Sequence, residues 1–369
     1  MRAKYGFLVA GLTVWMAMSA FCQNEATAHE SDKSSKYLQQ ATEGVEALRG
    51  WYDESTGLYK TTGWWNSANA ITVLADYSRA LKTQQHVPTL AHTFTAAQTT
   101  SPNFINKFYD DEGWWALAWI DAYDLTREPR YLEMAETIFA DMAGGWDTGT
   151  CGGGIWWSKD NKYKNAIANE LFLSVAAHLA NRTSGSQRSS YAKWSKREWK
   201  WFSKSGMINA QNLINDGLNS SNPRACKNNG QTTWSYNQGV ILGGLAEFSQ
   251  FASRRASLRK ANQFADAAIT HLADKDGVLH DSCEPKCGED GPQFKGIFAR
   301  NLARLYASTP NSSYRTFAMT NADSIWKKAQ GSDYEFGLVW SGPFDVADAA
   351  RQSSALDAIV AAAFMTQGQ

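Results

Sequence analysis

Residues 110–115 read Asp110-Asp111-Glu112-Gly113-Trp114-Trp115, and they open a helix-forming run that continues to about residue 125. Starts of the same kind, rich in Trp, small residues and polar groups, recur along the chain. They are Trp64-Trp65-Asn66-Ser67-Ala68-Asn69, Lys164-Asn165-Ala166, Trp234-Ser235-Tyr236-Asn237-Gln238-Gly239 and Phe294-Lys295-Gly296. The spacing is roughly 50 to 70 residues, the period of a helical hairpin with its loops. Between them lie runs such as Pro129–Met142 and Ser189–Ser203, which carry Lys, Arg and Glu on one side like ordinary surface helices.

Helical runs are read near 35–50, 64–82, 88–98, 110–125, 129–143, 162–180, 187–204, 233–252, 256–272, 292–307, 312–328 and 344–364. No alternating strand run separates them. The simplest all-α architecture is six hairpins closed into a ring, with inner and outer helices alternating. Small residues let the inner helices approach closely, and their polar starts converge on one end. No linker interrupts residues 35–366, so they are read as a single domain.

The 369 residues carry no formal net charge. That balance excludes the electrostatic footprint of a nucleic-acid binder or a polybasic membrane binder. Hydrophobic residues make up 43%, enough for a sizeable core, and there are 16 Trp and 14 Tyr. Most of these aromatics are expected to fill that core, and the remainder to offer stacking surfaces for sugar rings.

Arg2 and Lys4 precede an apolar run from Gly6 to Cys22, too short and poorly flanked for a membrane span. Residues 1–22 are read as a signal peptide, with cleavage as late as 28. The C-terminal apolar stretch Ala355–Met365 is interrupted by Asp357 and lacks a lipid-anchor pattern. A released, extracellular protein is expected, with no membrane partner after cleavage. Cys151, Cys226, Cys283 and Cys287 form an even set suited to two disulfides in that compartment. Glycosylation sequons begin at Asn181, Asn219 and Asn311.

Acidic residues at a helix start also serve as caps. Three features favour chemistry for Asp110 and Asp111: an inner-helix position, the Trp114-Trp115 step one turn along, and polar and aromatic groups converging at the same level. Glycoside hydrolysis needs one carboxyl group as acid and one as nucleophile or base, and adjacent side chains on a helix place them roughly 5 to 6 Å apart, near the separation associated with retention. Like charges so close split each other's titration, so one group stays protonated while the other is ionised.

Competing readings fit poorly. A magnesium motif Asp-Asp-x-x-Asp fails at Trp114. The stretch Asp274-Lys275-Asp276-Gly277 lacks the remaining calcium ligands and reads as a turn. The six His are scattered. No metal and no cofactor are expected.

Six stretches in order resemble glycoside hydrolase family 76, the α-1,6-mannanase family, and cover residues 38 to 360. They are Gly57-Leu58-Tyr59 with Gly63–Asn69; Tyr109–Trp115; Cys151-Gly152-Gly153-Gly154-Ile155-Trp156-Trp157; Tyr163–Ala166 with Asn169; Trp234–Gly239; and Cys283-Glu284-Pro285 through Phe294-Lys295-Gly296. The resemblance, closest to secreted fungal-type members, implies an (α/α)6 barrel and a retaining mechanism. It further implies Asp110 as nucleophile, Asp111 as general acid/base, and α-1,6-mannan or another mannose-containing glycan as partner. Trp64, Trp65, Asn69, Trp114, Trp115, Gly153, Gly154, Trp156, Trp157, Asn165, Tyr236, Asn237, Gln238 and Lys295 become candidate substrate-binding residues. The disulfide pairing most compatible with position is Cys283 with Cys287, leaving Cys151 for Cys226. A monomer is expected. Retaining chemistry also admits a cell-wall transglycosidase, in which a sugar hydroxyl replaces water. A non-catalytic mannan-binding protein would be expected to lose a carboxylate, and both are present.

Overall fold

Among the described residues, twelve α-helices are laid out so that every second one is buried on all sides. A computed structural model describes residues 33–367; the signal-peptide reading of residues 1–22 lies outside them. The inner helices are α2 (Trp64–Leu81), α4 (Tyr109–Thr126), α6 (Ala166–Arg182), α8 (Ser235–Phe248), α10 (Phe294–Ser308) and α12 (Ala349–Thr366). The outer ones are α1 (residues 33–49), α3 (Val87–Ala96), α5 (Pro129–Gly144), α7 (Gly185–Phe202), α9 (Arg254–Leu272) and α11 (Ser312–Lys328).

Each inner helix packs on the next, and α12 closes on α2, which completes the ring. Burial follows composition. In α6, Ala166 through Ala180 are all buried, as expected of a helix without a charged face. In α9 only Ser257, Leu258, Ala261, Phe264, Ala265 and Ala268 are buried, a single stripe at helical spacing. Close approach of inner helices rests on glycine. A Cβ on Gly239 would lie 2.6 Å from Phe298 Cα, and one on Gly296 would lie 2.5 Å from Ser354 Cα.

Two inner helices begin later than the sequence pattern suggests, because polar side chains stop them. Asn165 accepts from Ala168 N–H and starts α6, and Asp348 accepts from Arg351 N–H and starts α12. Of the residues before them, Tyr163 and Asn165 line a cleft at the mouth of the ring. Two short ribbons also lie in loops, Tyr52–Asp53 with Leu58–Tyr59 and Leu218–Asn219 with Lys227–Asn228. Both expected disulfides are present, Cys151–Cys226 and Cys283–Cys287. Of the sequon asparagines, Asn219 is exposed, while Asn311 caps α11. Asn181 does not offer a free amide: its Nδ2 donates to Glu247 Oε2 at 2.6 Å. No described helix is long and apolar enough to cross a membrane.

Candidate active site

The mouth is formed by the starts of the inner helices and the loops leading into them. Phe108 is extended, and Asp110 and Asp111 occupy the first turn of α4. Helix amides there lack intrahelical partners and favour negative charge. Each acid is also held by a neutral donor. Trp157 Nε1 donates to Asp110 Oδ2 at 2.9 Å, and Asn106 Nδ2 donates to Asp111 Oδ2 at 2.6 Å. Asn106 is fixed in turn, since its Oδ1 accepts from Phe108 N–H at 2.7 Å.

Burial and then repulsion from Asp111 raise Asp110 well above the usual carboxylate range, while the Trp157 hydrogen bond pulls the other way. Asp111 is pushed up to about 6, chiefly by burial, with the Asn106 hydrogen bond opposing and the charge of Asp290 adding. Two such groups titrate as a pair and keep one proton between them over a wide pH range. When Asp111 holds that proton the repulsion on Asp110 disappears, and the indole and helix amides then act against burial in favour of an ionised Asp110.

A cleft of about 240 Å³ lies over the pair, lined by Trp65, Asp110, Trp114, Trp157, Tyr163, Asn165, Asp216, Tyr236, Asp290 and Phe294. Its aromatic wall is continuous. Tyr236 stacks on Phe294 with centroids 4.0 Å apart, and Trp65 stacks between Trp114 at 5.6 Å and Phe294 at 6.3 Å. Polar groups converge on it, as in sites that orient a ligand. Asp290 Oδ1 accepts from Trp65 Nε1 at 2.8 Å. The Tyr163 hydroxyl donates to Asp216 Oδ2 and accepts from Asn229 Nδ2.

Of the residues marked in the sequence, the structure brings Asp110, Asp111, Trp65, Trp114, Trp157, Asn165 and Tyr236 to this mouth. Others serve the scaffold. Trp115 is fully buried, and Trp64 packs on it with centroids 4.9 Å apart. Trp156 is buried under the Lys164 ammonium, 4.7 Å from its ring. Asn69 Oδ1 accepts from Arg300 Nη2 at 2.5 Å inside the ring. Gln238 closes both of its amide groups on the Ile214 backbone, at 2.8 and 2.9 Å. Asn237 is fully buried. Lys295 is sealed in a pair with Glu284 at 2.6 Å and donates to the Leu338 carbonyl at 2.8 Å. Gly153 and Gly154 make room for an indole: a Cβ on either would lie 2.6 or 2.3 Å from Trp201.

The sequence pattern left out Asn106, Asp216 and Asp290. Asn106 carried a signal, a polar residue two positions before the helix entry where an Asx turn forms. Asp216 is a lone acid in an irregular loop and Asp290 follows Glu289 just before a short 3-10 turn, and only the fold brings them to the cleft.

A profile of glycosyl hydrolase family 76 matches residues 25–369. The mannan endo-1,6-alpha-mannosidase DFG5 of Candida albicans is 26% identical over 343 residues, covering 84% of this chain and 74% of that protein. The mannan endo-1,6-alpha-mannosidase DCW1 of the same organism is 27% identical over 273 residues, covering 68% of this chain and 59% of that one; the chain thus spans about six tenths of it. Among solved structures, the GH76A alpha-1,6-mannanase from Salegentibacter sp. HEL1_6 superposes with a TM-score of 0.80 at 21% identity, over 89% of this chain and 99% of that one. An inactive variant of it, changed at two consecutive aspartates, was solved with alpha-1,6-mannotetrose. Dfg5 from Chaetomium thermophilum, in complex with glucosamine, superposes with a TM-score of 0.79 at 20% identity, over 89% and 90% of the two chains.

Proposed function

The chain belongs to glycosyl hydrolase family 76, and from that premise we propose that it is a secreted, retaining endo-α-1,6-mannosidase whose single catalytic domain is the ring of residues 35–366. The observation that carries this reading is the pair of acids at the mouth: adjacent carboxyl groups, each held by a neutral donor, beneath an aromatic cleft.

In the first step Asp111 gives its proton to the glycosidic oxygen while the Asp110 carboxylate attacks the anomeric carbon. The C1–O bond breaks, the protonated leaving sugar departs, and a mannosyl ester forms on Asp110. In the second step Asp111, now ionised, takes a proton from water, and the water oxygen displaces Asp110 from C1. An acidity near 6 suits a group that must donate and then accept. Trp65, Trp114, Tyr236 and Phe294 give the apolar faces of the sugars a surface to stack on. Asn165, Asp216 and Asp290 accept hydrogen bonds from hydroxyl groups.

The test is hydrolysis of debranched α-1,6-mannan by the protein and by its Asp110→Asn and Asp111→Asn variants. The wild type is expected to release short manno-oligosaccharides and both variants to lose the activity; full activity in both would overturn the mechanism. Repeating the assay with an added acceptor sugar separates hydrolysis from transfer, because a transglycosidase would build longer glycans.

A further inference from the structure

The indole that bonds Asp110 belongs to a side chain that is 38% exposed, so core packing does not hold it in place. Its backbone is held instead. The Trp157 carbonyl accepts from Tyr109 N–H at 2.9 Å, and Lys159 N–H donates to the Lys107 carbonyl at 3.0 Å. Phe108 and Ser158 form an antiparallel bridge between them. Residues 157–159 therefore run as a short strand along the entry to α4. Side chains two apart on such a strand share a face, and here both reach the start of α4. Trp157 meets Asp110, and Lys159 meets Glu112.

Lys159 makes the stronger anchor. Its Nζ lies 3.0 Å from Glu112 Oε1 and 2.8 Å from Asp141 Oδ2 on α5, and 5.5 Å from the Tyr109 ring centroid. Glu112 is fully buried; burial pushes it up to about 8 even against the pull of Lys159. Two acidic side chains within hydrogen-bond distance, one on α4 and one on α5, tie the ammonium to this spot.

We infer that Lys159 is a positioning residue for the nucleophile: by locking residues 157–159 onto α4 and α5, it keeps the Trp157 indole N–H on Asp110. The inference rests on the proposed role of Asp110. Without Lys159 the strand keeps its backbone bonds and the contact of the Trp157 ring with Phe108, 5.1 Å between centroids, but loses its anchor to α4 and α5, so the exposed indole can shift off Asp110. Asp110 then loses a donor that favours its ionised form. The other titratable groups around Asp110 are Asp111 on its own helix, and Tyr163, Asp216, Tyr236 and Asp290 from the rest of the cleft. None of these contacts Lys159.

The experiment compares kcat, KM and pH profiles on α-1,6-mannan for Lys159→Met, Lys159→Arg, Trp157→Phe and the Lys159→Met/Trp157→Phe double variant. Lys159→Met is expected to lose kcat by about ten- to a hundredfold, since a small misplacement of a reacting group can cost up to about a hundredfold. The acidic limb of its pH profile moves upward, and Lys159→Arg restores most of the rate. Trp157→Phe shows the same loss, and the double variant is little worse than either single one. A folded Lys159→Met protein with wild-type kcat and pH profile, or losses that multiply in the double variant, would overturn the inference. If Lys159→Met does not fold, Lys159→Met/Glu112→Gln removes the stranded acid and is expected to show the same kinetic loss; wild-type kinetics there count equally against it. Activity in Asp110→Asn would overturn the parent reading as well, whereas an inactive Asp110→Asn beside a normal Lys159→Met would sink this inference alone.

Discussion

The helix α4 carries two pairs of aspartates, and its two ends use them in opposite ways. At the mouth, Asp110 and Asp111 bond an indole and an amide and are pushed above the usual carboxylate range. Near the other end, Asp121 accepts from Arg304 at 2.6 Å and Arg79 at 3.1 Å, and Asp124 lies 2.5 Å from Arg182. There Asp121 is pulled well below the usual range by Arg304 and Arg79, which outweigh its burial. Glu247 on α8 is pulled down to about 2, with His178 and Arg182 outweighing burial. Burial alone thus does not decide what an inner-helix acid does. For these four aspartates the partner decides: cations make Asp121 and Asp124 fasteners, and neutral donors leave a proton available for chemistry at the mouth, whereas Glu112 stays raised to about 8 beside Lys159 because burial outweighs that cation.

The largest effect that would break this comparison concerns the mouth. Asp110→Asn is expected to lower kcat on mannan by on the order of a thousandfold or more, with thermal stability unchanged or raised because a buried repulsion is removed. A stable variant with undiminished kcat would erase the distinction. The reverse holds at the rear, where Arg304→Met strips a close cation from Asp121. Unfolding in urea should show a loss of about 3–5 kcal/mol, while kcat per folded molecule stays near wild type.

The two ends should also separate by pH. For Asp121 and Glu247 the folded form is the stronger acid, so their stabilisation is present above the unfolded value near 4 and is lost as pH falls toward 2. For Asp111 the folded form is the weaker acid. Its stabilising contribution is full below about 4 and is lost as pH rises through about 6. Melting curves of Asp111→Asn should therefore gain about 1–2 kcal/mol relative to wild type above pH 6, and nothing at pH 3. Activity carries the same signature: the basic limb of kcat/KM is expected near 6, where Asp111 loses the proton it must donate. A limb above 8 would point to a different acid. The smallest effect sharpens the aromatic wall. Trp65→Phe keeps the stacking face but removes the N–H bonded to Asp290, and KM should rise by about threefold to tenfold, as for one hydrogen bond.

Much of this was legible in the chain itself. The helix starts at Trp64, Asp110, Lys164, Trp234 and Phe294 identified the inner ring, because only a helix buried all round tolerates small residues without a charged face. The adjacent aspartates were legible for the same reason. What the pattern could not tell was whether a polar group near an inner-helix start points into the cleft or finds a partner in the wall. Lys295, Asn69 and Gln238 found partners: Glu284, Arg300 and the Ile214 backbone. The glycines at 153 and 154 fit a close approach, but the approaching group is Trp201, contributed by an outer helix. Asp216 and Asp290 had no local signature, since loops of different hairpins carry them to the pair.

The central claim, a covalent two-carboxylate mechanism at the mouth of the ring, is tested most directly by the configuration of the first product. Debranched α-1,6-mannan would be mixed with the protein and the new reducing ends followed by NMR before they equilibrate. The account predicts α-anomers first, from the wild type and not from Asp110→Asn. An initial β-anomer, or α-product from Asp110→Asn, would contradict it.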